Sequence, residues 1–208
     1  MPTQVTRSRN TLLVGVLALL ILLGVTRADA VGAPVNLGTA ASFAVLAGTT
    51  VTNTGLTTIS GDLGVSPGTA VTGFPPGLVS GGTIHAADAV AAQAQADLTT
   101  AYNDAAGRST SATISADLGG QTLVSGVYTG TTLGLTGTLT LDAQGDPNAV
   151  FVFQSASTLT TATSSSVVLI NGASSCNVFW QVGSSATLGT NSVIVGTVLA
   201  LTLSLIHI

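Results

Sequence analysis

From Ser109 onward the chain alternates short apolar runs with hydroxyl residues, and Gly, Ser or Asn marks the ends of each run. Such period-two stretches bounded by turn residues predict strands. They also repeat. Thr132-Leu133, Thr158-Leu159 and Thr187-Leu188 each follow an aromatic-bearing run (Val127-Tyr128, Phe151–Phe153, Phe179-Trp180). Each is followed by a β-branched or Leu-rich run at Leu139–Leu141, Val167–Ile170 and Val193–Val195. Three strands per repeat with turn residues at the corners predicts a three-sided solenoid. A sandwich would alternate apolar and polar positions more cleanly. With alternation, Leu133, Leu159 and Leu188 point inward and Thr132, Thr158 and Thr187 outward on one face, with Thr160 two residues beyond Thr158. Spacings are then about 6.7 Å along a strand and about 4.8 Å between coils.

One stretch breaks this rhythm. From Ile84 to Ala105 the apolar positions Ala87, Val90, Ala91, Ala94, Leu98, Ala101, Tyr102 and Ala105 fall at helical steps. The expectation is one long helix with Thr83 as N-cap, Asp88 near its positive end and Gly107 as its stop. Its Ala stripe suits close approach to a flat sheet, with Val90, Leu98 and Tyr102 as the larger contacts.

The first 30 residues read differently. Arg7 and Arg9 precede an apolar run from Leu12 to Val25, and Ala28-Asp29-Ala30 offers a small-x-small cleavage site. This is the pattern of a secretory signal, and the run is shorter than the roughly 20 residues of a spanning helix. The expectation is an exported protein with no membrane contact after cleavage, and a single domain over 31–208.

Charge narrows the functional classes. Beyond residue 30 the only base is Arg108, and every acid is Asp. One cation excludes nucleic-acid binding through a basic patch. Catalysis on a β-helix needs close acid–base pairs, but the chain past residue 30 has no Glu or Lys, and His85 and His207 stand apart. Asp142 and Asp146 share one loop, yet a Ca²⁺ site takes 6–8 oxygens, so a turn role is the better reading. Asp62 and Asn53 read as turn and capping residues, and His85 as a hydrogen-bonding residue at the helix start. No catalytic or metal site and no cofactor is expected. Cys176 is the only cysteine, which rules out an intramolecular disulfide, and it reads as a small buried apolar residue.

Residues 36–77 carry LGTA, VTNTG, GDLGVSPG and GFPP in order, with Asp62 as the only charge. Further on come Leu118-Gly-Gly, Gly126-Val-Tyr128, the run Asp146–Gln154, Leu169–Gly172 and Asn177–Gly183. From about Val35 to Ala200 this series resembles the microbial ice-binding proteins, which fold as a β-helix with a helix alongside. The resemblance implies a mainly β, irregular right-handed parallel β-helix with one long packed α-helix. It implies adsorption to ice and ordered water through a flat Thr-rich face, with no enzymatic activity. Some family members carry a T-A/G-x-T/N pattern on that face, matched here by Thr54 with Thr57, Thr69 with Thr72, and Thr129 with Thr132. With Thr158, Thr160 and Thr187 these are the candidate contacts. In the family, the segment like Gly196–Ala200 is followed by further coils, so the C-terminal coils are expected to be missing, with 201–208 a departure from the pattern. The alternative from another class is an extracellular adhesion or glycan-binding solenoid. A degenerate lyase is a third, which the lack of Glu and Lys opposes.

Overall fold

The computed structural model describes residues 32–53, 58–115 and 117–200, together with the backbone of 203–206. The leader at 1–30 lies outside the described residues. Two short coils come first. They run through β1 (Phe43–Ala47), β2 (Thr50–Thr52) and β3 (Thr58–Ser60), then β4 (Asp62–Val65), β5 (Ala70–Thr72) and β6 (Leu78–Ser80). β7 (Ile84–Ala86) leads into α1 (Ala89–Gly107). After the helix the winding resumes with β8 (Ala112–Thr113), β9 (Thr122–Val124), β10 (Gly126–Gly130), β11 (Leu133–Leu135), β12 (Thr138–Asp142), β13 (Phe151–Ser155), β14 (Leu159–Thr161) and β15 (Ser166–Ile170). It ends with β16 (Val178–Val182), β17 (Ser185–Leu188), β18 (Thr197–Ala200) and β19 (Leu203–Ile206).

Every strand pairing is parallel, between a strand and its equivalent one coil away. The strands therefore sort into three sides. The first holds β1-β4-β7 and β18-β16-β13-β10-β8, the second β2-β5 and β11-β14-β17-β19, and the third β3-β6 and β15-β12-β9. The fold is mainly β, a three-sided parallel β-helix with one helix, as the repeat predicted.

α1 packs along the first side, against β1, β4 and β7 and against β13, β16 and β18. Period-two alternation makes this possible. Val127, Val152, Phe179 and Leu199 face the helix and enclose Ala101 and Ala105. The intervening residues Tyr128, Phe153 and Trp180 point into the coil, pair in register and stack with ring centroids 5.5 and 4.1 Å apart. Buried Leu133, Leu135, Leu139, Leu141 and Leu159 fill the rest of the interior. The coils after α1 bury apolar side chains at matching places, which supports this parallel register.

Four expectations about local structure change. The helix begins five residues later than the periodicity indicated, because Ile84–Ala86 pairs with β4 as a strand. Its N-cap is Asp88 rather than Thr83, and the Asp88 carboxylate accepts the N–H of Ala91 at 2.8 Å. Val90 is 49 % exposed, since the buried stripe is carried by Ala91, Ala94, Ala101 and Ala105. Cys176 is exposed rather than buried, because it falls in the 3-10 turn Ser175–Asn177 at a corner and not in a strand.

Other corners follow the sequence reading. Asn53 Nδ2 donates to Gly73 O at 3.0 Å. Gly73 adopts φ +78°, and a Cβ there would lie 1.8 Å from the Asn53 carbonyl, so only Gly fits. Asp62 accepts Thr83 N–H at 2.9 Å, holding the end of the second coil.

Candidate hydroxyl face

On the second side, Leu133, Leu159 and Ala186 pair in register and are buried. The residues beside them face outward. Gly134, Thr160 and Thr187 form one column, and two residues earlier in the same register Thr132, Thr158 and Ser185 form another. Thr132 and Thr160 are exposed, while Thr158, Ser185 and Thr187 are half-buried. The structure thus brings together four of the expected contacts, Thr132, Thr158, Thr160 and Thr187. Their alignment differs from the apparent repeat. Thr187 pairs with Thr160, not Thr158. The third coil is offset by two residues, which preserves the outward face because the side-chain period is two. Ser185 and Gly134, which complete the columns, were not visible as a repeated Thr. Only pairing register reveals them.

The column of Gly134 continues to Asp117 through a bridge. This acid is tied to the adjacent corner: it accepts the Thr136 hydroxyl, and it accepts the N–H groups of Thr136 and Gly119 at 3.0 Å each. These contacts, the Thr136 hydroxyl foremost, hold its carboxyl below the ordinary value. The face that extends from it carries methyls and hydroxyls.

Sheet β2-β5 occupies the same place in the winding within the first two coils. Thr50, Thr52 and Thr72 are exposed there, and Thr72 Oγ1 lies 3.3 Å from Thr52 Oγ1 across the pair Thr52–Thr72. Thr69 is exposed on the loop entering β5. Thr54 and Thr57 lie outside the described residues.

Thr129 stands apart from the others. It belongs to β10 on the first side, where its hydroxyl donates to Gln154 Oε1 at 2.7 Å and contacts the Thr110 hydroxyl at 2.8 Å. Gln154 Nε2 in turn donates to the carbonyls of Ala105 and Arg108 at 2.8 and 2.9 Å. Thr129 therefore supports the capping of the helix C-terminus and is half-buried beneath it.

The polar groups weighed for other chemistry have structural partners. Asp142 accepts Gln144 N–H and Asn171 Nδ2, each at 2.8 Å, and Asp146 accepts Asn148 N–H at 2.8 Å. These are turn contacts. His85 Nδ1 lies 2.7 Å from Asp88 Oδ2 at the start of α1. Among the described residues, no three His, Cys, Asp or Glu side chains gather as a metal site.

The molecule is thus a parallel β-helix with registered hydroxyls and methyls on its second side and Tyr128, Phe153 and Trp180 stacked inside the coil. Comparison with known proteins gives the family. The family model described as ice-binding-like matches residues 45–206, and the chain belongs to that family. It is 56 % identical over 168 residues to an ice-binding protein of Nostoc sp. (strain HG1), covering 80 % of this chain and 62 % of that relative. The chain thus spans under two thirds of the length of this relative. Its fold matches the crystal structure of an ice-binding protein from an Antarctic biological consortium with a TM-score of 0.79 at 54 % identity, covering 82 % of this chain and 78 % of that one. It also matches an ice-binding protein of the Antarctic ascomycete Antarctomyces psychrotrophicus with a TM-score of 0.77 at 46 % identity, covering 83 % and 89 %.

Proposed function

We propose that this chain is an exported, non-catalytic ice-binding protein that adsorbs to ice through its second side and restrains ice growth and recrystallisation. The observation that carries the reading is the pair of outward columns Thr132–Thr158–Ser185 and Gly134–Thr160–Thr187. Their hydroxyls can hold water at fixed spacing while the Thr methyls order it nearby, and many weak water-mediated contacts add along a rigid sheet. Thr50, Thr52 and Thr72 extend the same chemistry over the first coils, and Thr69 lies at its margin. The Arg-led apolar leader at 1–30 and its small-x-small end support export.

A glycan-binding role has less support. Sugar sites use exposed aromatic rings beside polar groups, and here Tyr128, Phe151, Phe153, Phe179 and Trp180 are all buried.

The test is ice-recrystallisation inhibition together with thermal hysteresis. Thr158→Arg and Thr160→Arg should each lose most activity with an unchanged circular dichroism spectrum. A folded wild-type chain without effect on ice that binds immobilised glycans would overturn the proposal and favour adhesion.

A further inference from the structure

The third side repeats the pattern of the second with more exposed methyls. Thr122, Thr140 and Val168 form one outward column, and Thr138, Ser166 and Val193 another. Five consecutive residues of β12 pair one-to-one with β15, without a bulge. Of the large apolar side chains exposed among the described residues, most lie on this side, with Val168 at 42 % and Val193 at 55 %. Such a concentration marks a contact surface. Its charged residue, Asp142, stands at the far end of the strand, where its Oδ1 accepts the Gln144 N–H and Asn171 Nδ2.

We propose that this third side is a second ice-contacting face, so that one molecule engages ice through two adjacent sides of the prism. The inference rests on the ice-binding reading above. The chemistry selects the occupant. A protein partner would be anchored by aromatic or Arg side chains, which these two columns lack. They offer hydroxyls and β-branched methyls in a flat registered array, the same chemistry as the second side. The two sides meet at the corner Thr136-Gly137, which the Asp117–Thr136 contacts hold in place, so the angle between the two arrays is fixed.

Because the sequence contains no Lys, its four cationic residues being Arg7, Arg9, Arg27 and Arg108, an amine-reactive dye marks only the N-terminus. The chain so labelled is adsorbed to a single ice crystal, and the decorated planes are mapped for wild type, Val168→Arg, Val193→Arg and Thr160→Arg. Dichroism and melting temperature are recorded for each. Both Val positions are well exposed, and Val193→Arg serves if Val168→Arg does not fold. Wild type should decorate at least two sets of planes. Each Val variant should lose one set and keep the set that Thr160→Arg loses. Folded Val variants that decorate ice like wild type would overturn the second face while leaving ice binding intact. Loss of every plane in Thr160→Arg would also overturn it. A folded wild type that decorates no plane would remove the ice-binding reading and this proposal together.

Discussion

Thr160 and Gln154 show how one β-helix uses neighbouring strands for different ends. Thr160 points outward from β14 with its hydroxyl in solvent, so replacing it costs little stability, and Thr160→Ser tests the methyl alone. Loss of the methyl with retention of the hydroxyl should weaken recrystallisation inhibition while leaving the melting curve in place. If Thr160→Ser matches wild type, the methyl has no part in adsorption. Gln154 faces the helix and is 7 % exposed, where it joins Thr129 to the carbonyls that end α1. Gln154→Ala leaves those carbonyls and the Thr129 hydroxyl without this partner. The expected cost is about 1–3 kcal/mol in denaturant unfolding, as for buried polar groups left unsatisfied. Recrystallisation inhibition per folded molecule should be unchanged, because the second side is untouched. Phe153→Ala should cost more, about 3–5 kcal/mol, since it empties the middle of the Tyr128–Phe153–Trp180 stack.

At the level of elements, four carboxylates fasten the helix and the corners. The Ala91 N–H and then His85 lower the pKa of Asp88 at the N-cap. The Thr39 hydroxyl and N–H lower Asp97, which ties α1 to the segment before β1. The Thr83 N–H lowers Asp62, and the Thr136 hydroxyl lowers Asp117. A group whose folded pKa is depressed stabilises the fold above its unfolded pKa, and that contribution is lost as pH falls through the folded value. The melting temperature should therefore vary little from these four between pH 7 and pH 5. It should decline as pH drops below the ordinary carboxylate value of 3.8. A decline already complete at pH 5 would contradict these contacts. Several of these elements could be read from the chain alone. The triple recurrence of Thr-Leu after an aromatic run encodes the three-sided coil, and the Ala stripe encodes a helix lying on a sheet. The start of α1 was hidden because Ile84-His85-Ala86 satisfies a helical period and a strand equally, and only pairing with β4 decides between them. The candidate face was partly readable for a related reason. Outward parity follows from alternation within a strand, but which residues share a column depends on loop lengths between strands. Thr129 shows the limit, because its spacing to Thr132 matched the pattern although a corner separates them onto different sides.

Parallel ladders within the first coils and within the later coils, with α1 packed against both, hold the molecule without a disulfide, and its formal net charge is −4. Apart from Asp117, which continues the Gly134 column and is fastened to the Thr136 corner, the columns proposed to meet ice carry no ionisable group. Adsorption should therefore depend on registered hydroxyls and methyls and not on attraction between charges. Salt offers a clean separation. Between about 10 mM and about 150 mM ionic strength the screening length falls from about 30 Å to about 8 Å, which weakens any electrostatic attachment. Recrystallisation inhibition measured across that range, with total osmolality held constant by sucrose, should stay level for the wild-type chain. A marked fall with salt would mean that charges such as Asp117 or Asp142 take part in holding the surface. Neutralising Asp117 as Asp117→Asn then distinguishes a charged contact from a structural one. As a corner tie, Asp117 should affect the melting temperature when replaced, and the salt profile of ice adsorption should stay flat.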